Sequence, residues 1–192
     1  MDFLRFSPLR RFEAFLMYET LVKKKNMAFL FMALMIPGPL KFLFIFVLVL
    51  KLLPADFSDR RIKPLLSLPF SRTEIFVYTF LFGFSVIFFA SVIGWALLGR
   101  ETPFELTKYF VFYAFYFGFT LINSLKIGDR LNIPMIFLAF DLLSSFIAPD
   151  VYGVLSQYSP VYQHNQPLSL LLAVALLLIS ALVFVFGRRE KW

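Results

Sequence analysis

Residues 75–98 read IFVYTFLFGFSVIFFASVIGWALL, a run of 24 residues without a single charge. A helix needs about 20 such residues to cross the hydrocarbon core of a bilayer. The rest of the chain has the same character. Of its 192 residues 60% are hydrophobic, only 16% are charged and 28 are Phe, and the mean hydropathy is +0.79. An ordinary soluble domain carries about 25% charged and about 45–50% apolar residues, so this composition predicts an all-α, polytopic integral membrane protein. At about 20 residues per crossing, six or seven crossings are the roughly estimated ceiling, with no separate soluble domain. The absence of cysteine excludes disulfides, thiolate metal sites and thiol chemistry. His164 is the single histidine, which leaves no cluster for a metal. Arginines and glutamates interrupt the N-terminal stretch, and no small-residue cleavage site follows an apolar core, so no cleavable signal is expected there.

Outward from 75–98, three more apolar runs stand clear: Tyr109–Leu125, Ile133–Ala148 and Leu168–Phe186. Met27–Leu53 is also apolar, apart from Lys41 and Lys51, but Pro37-Gly38-Pro39 cuts it. Proline removes a donor and clashes with the preceding turn, so this stretch reads as one broken span or as a hairpin. Its arms, 27–36 and 40–53, would rise roughly 15 and 20 Å, each short of a core of about 30 Å. The distribution of basic residues decides for the hairpin. It gathers Arg5, Arg10, Arg11, Lys23, Lys24, Lys25, Arg60, Arg61, Lys63, Arg72, Lys126, Arg130, Arg188, Arg189 and Lys191 on one side, and leaves Lys41, Arg100 and Lys108 on the other. The expected organisation is thus a single transmembrane domain of six hydrophobic segments with both termini cytoplasmic: a helix over 1–26, a broken hairpin over 27–53, a cytoplasmic loop over 54–74, and spans at 75–98, 109–125, 133–148 and 168–186. Residues 9–26 read either as a helix lying on the membrane surface or as an extension of the first span. The net charge of +7 is accounted for by this topology, so nucleic acid is not an expected partner.

Within the 54–74 loop, Lys63–Leu68 fits a short amphipathic helix with Pro64 in its first turn and Pro69 at its end. Ser71 with Glu74 three residues on, before an apolar run, is a capping-box pattern. Asp141 lies midway along the fifth segment. A carboxylate at that depth costs about 2.5–3.5 kcal/mol on insertion scales, which marks it as a transport-path candidate that takes up a proton, pairs with a cation or faces a polar path; the alternative is a bond to neighbouring Ser144 or Ser145. Asn123 and Ser124 belong to the same candidate path, although they read more readily as interhelical hydrogen bonders. Gly83, Ala90 and Gly94 share one helix face and suit close packing, within the chain or across a dimer. Tyr109, Tyr113, Tyr152, Tyr158, Tyr162, Trp95 and Trp192 read as interface belts and packing. No serine–histidine set, carboxylate dyad or HExxH helix is present, so no enzyme is expected.

The string LLSLPFSRTEI (Leu65–Ile75) ahead of a long apolar run resembles the loop of type-2 ABC transporter permeases. LSQYSPVYQ (Leu155–Gln163) and the closing FGRREKW (Phe186–Trp192) are similar to that family's stretch before the last span and its paired-arginine tail. The resemblance implies a permease subunit of an ATP-driven exporter in the cell membrane, working as a homo- or heterodimer. Leu65, Leu66 and Leu68 would then enter a groove of a separate ATP-binding subunit, while Pro69, Ser71, Arg72 and Glu74 set the next helix start. The chain holds no GxxxxGK[ST] loop, so ATP and magnesium would belong to the partner and no cofactor to this chain. The alternatives are a substrate-binding subunit of a vitamin-type uptake transporter and a non-transporting membrane scaffold.

Overall fold

The computed structural model describes residues 8–54, 70–99, 103–128, 131–147, 159–161 and 166–187. Helix α1 (Pro8–Leu34) begins on a proline, which the first helical turn tolerates, and continues through Lys23–Lys25. The chain then turns at Pro37-Gly38-Pro39, where Gly38 takes φ 108°, a conformation that a side chain would resist. Helices α2 (Leu40–Lys51), α3 (Arg72–Leu98), α4 (Pro103–Lys126), α5 (Asn132–Ile147) and α6 (Gln166–Phe186) follow. The α3 start carries the full capping box: Ser71 Oγ accepts the Glu74 N–H, and the Glu74 carboxylate accepts the Ser71 N–H. Gly99 closes its other end at φ 61°, the left-handed cap glycine favours.

Helix α4 is the hub. It packs most extensively on α6 and also contacts α2, α3 and α5. Every residue from Val111 to Phe117 is buried, the mark of a helix surrounded on all sides. Ring pairs set the directions of the neighbours. Phe76 and Phe80 meet Phe117 while Phe84 meets Phe110, so α3 is antiparallel to α4. Phe42 meets Tyr109 and Phe46 meets Tyr116, so α2 is parallel to it. At Gly118 an added Cβ would lie 2.9 Å from the Leu176 carbonyl, which shows how closely the α4 and α6 backbones approach. Helix α1 runs beside α3, with Arg11 at Glu74 and the Met35 carbonyl against Gly94. The starts of α1 and α3 and the ends of α2, α4 and α6 therefore share one end of the bundle, the Arg72 end.

The expected polytopic bundle of six membrane segments is not what forms. Among the described residues only α3 and, within α6, Pro167–Phe186 are long and apolar enough to cross a membrane. The reasons are local. The first arm of the expected hairpin is the end of α1, which carries Arg10, Arg11, Glu13 and Glu19 along its length. Helix α2 has 12 residues and rises about 18 Å; α5 has 16 and rises about 24 Å. The apolarity of α4 is largely Phe and Tyr turned into a closed aromatic core. Lys41, expected at an outer apex, is fully buried, with Nζ 4.4 Å from the centre of the Tyr109 ring, a cation–π contact.

Candidate functional site

On α5, Leu138 and Asp141 stand three residues apart and so share a face. That face turns inward: both are buried, Asp141 at 5% exposure, while Met135, Ile136, Phe140 and Leu143 face outward. Opposite them α4 presents Tyr116, fully buried and ringed by Phe46, Phe112, Phe115 and Phe137. A third segment, Ser159–Val161, completes the group. Ser159 Oγ donates to Asp141 Oδ1 at 2.5 Å and accepts the Val161 N–H at 3.2 Å. The Tyr116 hydroxyl stands 3.5 Å from Asp141 Oδ2, a long contact by hydrogen-bond standards.

Burial among aromatic rings disfavours the charged carboxylate and pushes Asp141 up to about 6; the bonds from Ser159, the Val161 N–H and Tyr116 partly offset this. Burial and the adjacent carboxylate push the Tyr116 phenol up as well. The arrangement is a buried carboxyl with hydroxyl partners from two other chain segments, able to hold or give up a proton near neutral pH. Among the described residues no group of three or more His, Asp or Glu stands together.

The other expected site residues lie elsewhere. Ser71, Arg72 and Glu74 form a clamp at the Arg72 end. Glu74 pairs with Arg11 of α1 at 3.0 Å, and Arg72 Nη1 donates to the Gly187 carbonyl just beyond α6 at 3.1 Å. Leu65, Leu66, Leu68 and Pro69 lie outside the described residues. Asn123 Nδ2 donates to the Phe119 carbonyl one turn back, and Ser124 Oγ is buried with no hydrogen-bond partner among the described residues; neither joins the Asp141 group. Gly83 faces Leu52 and Tyr113, Gly94 faces the Met35 carbonyl, and Ala90 is fully buried, so all three abut helices of the same chain. Sequence reasoning singled out Asp141 but missed Ser159 and Tyr116 as its partners. Ser159 is 18 positions away, and Tyr116 was one tyrosine in an aromatic run.

No family model, no curated protein and no solved structure matches this chain. The type-2 ABC permease assignment is therefore corrected, together with the exporter function and the permease dimer drawn from it; the multi-pass cell-membrane placement with cytoplasmic termini, read from hydropathy and the distribution of basic residues, is corrected by the described helices. The described part of the string behind that assignment has a use inside the chain, tying α1 and the end of α6 to the start of α3. The described bundle shows two apolar helices of crossing length rather than six.

Proposed function

We propose that this chain is a non-catalytic helical bundle that works in contact with lipid, its aromatic core built around α4 and its outer apolar surface facing acyl chains. The observation behind the proposal is the exposure of α3 and α6. Only 33% and 22% of their most apolar stretches are buried. Phe89, Trp95 and Leu97 on α3, and Leu171, Leu178 and Leu182 on α6, are each more than half exposed. A monomer in water rarely shows contiguous apolar surface beyond a few hundred Å², whereas acyl chains receive such side chains without cost. Lipid is thus the partner, and nucleic acid is not.

The test is to express the full chain, wash the host membranes with alkaline carbonate and then partition the extract in a phase-separating detergent. Retention in the washed membranes and the detergent-rich phase is the expected result. A chain that leaves the membranes and runs as a monodisperse monomer without detergent would overturn the reading.

A further inference from the structure

The Arg72 end carries an excess of basic side chains beside the apolar flanks of α3 and α6. Arg10 and Arg11 lie in the first turns of α1, Lys51 ends α2, Arg72 starts α3 and Lys126 ends α4. The acids described at this end are Glu13 and Glu74, the latter engaged by Arg11. Arg10, Lys51 and Lys126 are exposed. Just past Gly187 the sequence continues Arg188-Arg189-Glu190-Lys191. The opposite end is different in kind: its described charges are Glu105, Lys108 and the buried Lys41.

Resting on the lipid reading above, we propose that the Arg72 end is a headgroup-binding surface selective for anionic phospholipid. The apolar flanks of α3 and α6 supply the hydrocarbon contact, and Lys51 and Lys126 supply charge to the phosphates. Lysine and arginine near an anionic surface attract its phosphates, an effect that salt screens and that is confined to about one Debye length. Arg72 plays a different part: its guanidinium is held by the Gly187 carbonyl, so it orders the surface more than it recruits lipid. Inorganic phosphate offers the same charge without acyl chains and would not satisfy both halves of the surface.

The full chain, purified in a mild detergent, is mixed with equal amounts of phosphatidylglycerol and phosphatidylcholine of matched acyl chains, and the retained lipid is read by native mass spectrometry. The expected result is several-fold more phosphatidylglycerol than phosphatidylcholine retained by the wild type, a preference that added salt weakens. The double variant Lys51→Gln/Lys126→Gln is expected to lose most of that preference, whereas Lys108→Gln at the opposite end keeps it. Equal retention of the two lipids by the wild type, or an undiminished preference in the double variant, overturns the headgroup surface while leaving lipid contact intact. Retention of neither lipid, by a chain that stays monodisperse once detergent is removed, overturns the lipid reading itself.

Discussion

Asp141 brings a carboxyl into an aromatic interior, where the Ser159 and Tyr116 hydroxyls and the Val161 amide receive it. Tyr116 is the one titratable group described as facing it, and its phenol stays neutral. Burial raises Asp141 from an ordinary 3.8 to about 6, so between those values the folded chain holds a proton that the unfolded chain has released. Stability from this group is therefore complete below about pH 4 and falls as pH rises, levelling off above about pH 6. At 1.36 kcal/mol per tenfold change in acidity, the loss is on the order of 3 kcal/mol. Asp141→Asn keeps an acceptor for Ser159 and removes the charge. It is expected to melt higher than the wild type at about pH 7.5, by on the order of 5–10 °C for a chain of this size, and to lose the part of the pH slope between about 4 and 6 that Asp141 causes. Thermal unfolding of both proteins in one detergent across that range checks this; a variant that melts lower than the wild type at neutral pH would mean that the carboxylate is stabilised where it sits.

Among the elements, what the sequence disclosed depended on how local the cause was. The α3 start was legible because Ser71 and Glu74 act on each other across three residues. The turn at Pro37-Gly38-Pro39 was legible because proline and glycine punctuate any fold. The continuity of α1 was one of two open readings of residues 9–26, since the charges at Lys23–Lys25 ended a hydropathy run without ending a helix. The central place of α4 was hidden for another reason: an apolar aromatic run reads the same whether its rings face lipid or one another. Nor does anything local in α4 announce that Gly118 is where the α6 backbone crosses. That contact yields a prediction whose sign separates propensity from packing. In a solvent-facing helix Gly→Ala stabilises by about 0.8–1.0 kcal/mol. At position 118 the new methyl would meet the Leu176 carbonyl at 2.9 Å and force two backbones apart, a cost of about 1–3 kcal/mol. Gly118→Ala is therefore expected to lower the melting temperature by several degrees, with Gly118→Val lowering it further. A rise in melting temperature for the alanine variant would place α6 farther from α4 than described.

For the whole molecule, the question is what surrounds it, and the same side chains answer differently in water and in lipid. The composition made the apolar excess plain, but it could not divide that excess between the core and the outer surface. The structure does so: the rings of α4 go inward, while Leu171, Val174, Leu178 and Leu182 of α6 remain outside. Leu178 is 60% exposed near the middle of α6. If water surrounded that position, Leu178→Lys would be worth no more than about 0.5 kcal/mol either way, as most surface substitutions are. If acyl chains surround it, a lysine at mid-helix costs about 2.5–3.5 kcal/mol on insertion scales. The lipid reading therefore expects Leu178→Lys to reduce retention in carbonate-washed membranes several-fold. The purified variant should keep the helical circular dichroism of the wild type in detergent, because the residue packs against nothing in the core. A conservative Leu178→Ile exchange, which keeps the apolar surface, should be retained like the wild type. Equal retention of the lysine and isoleucine variants would show that this face of α6 does not meet hydrocarbon, and the assignment of α3 and α6 as the lipid-contacting helices would fall with it.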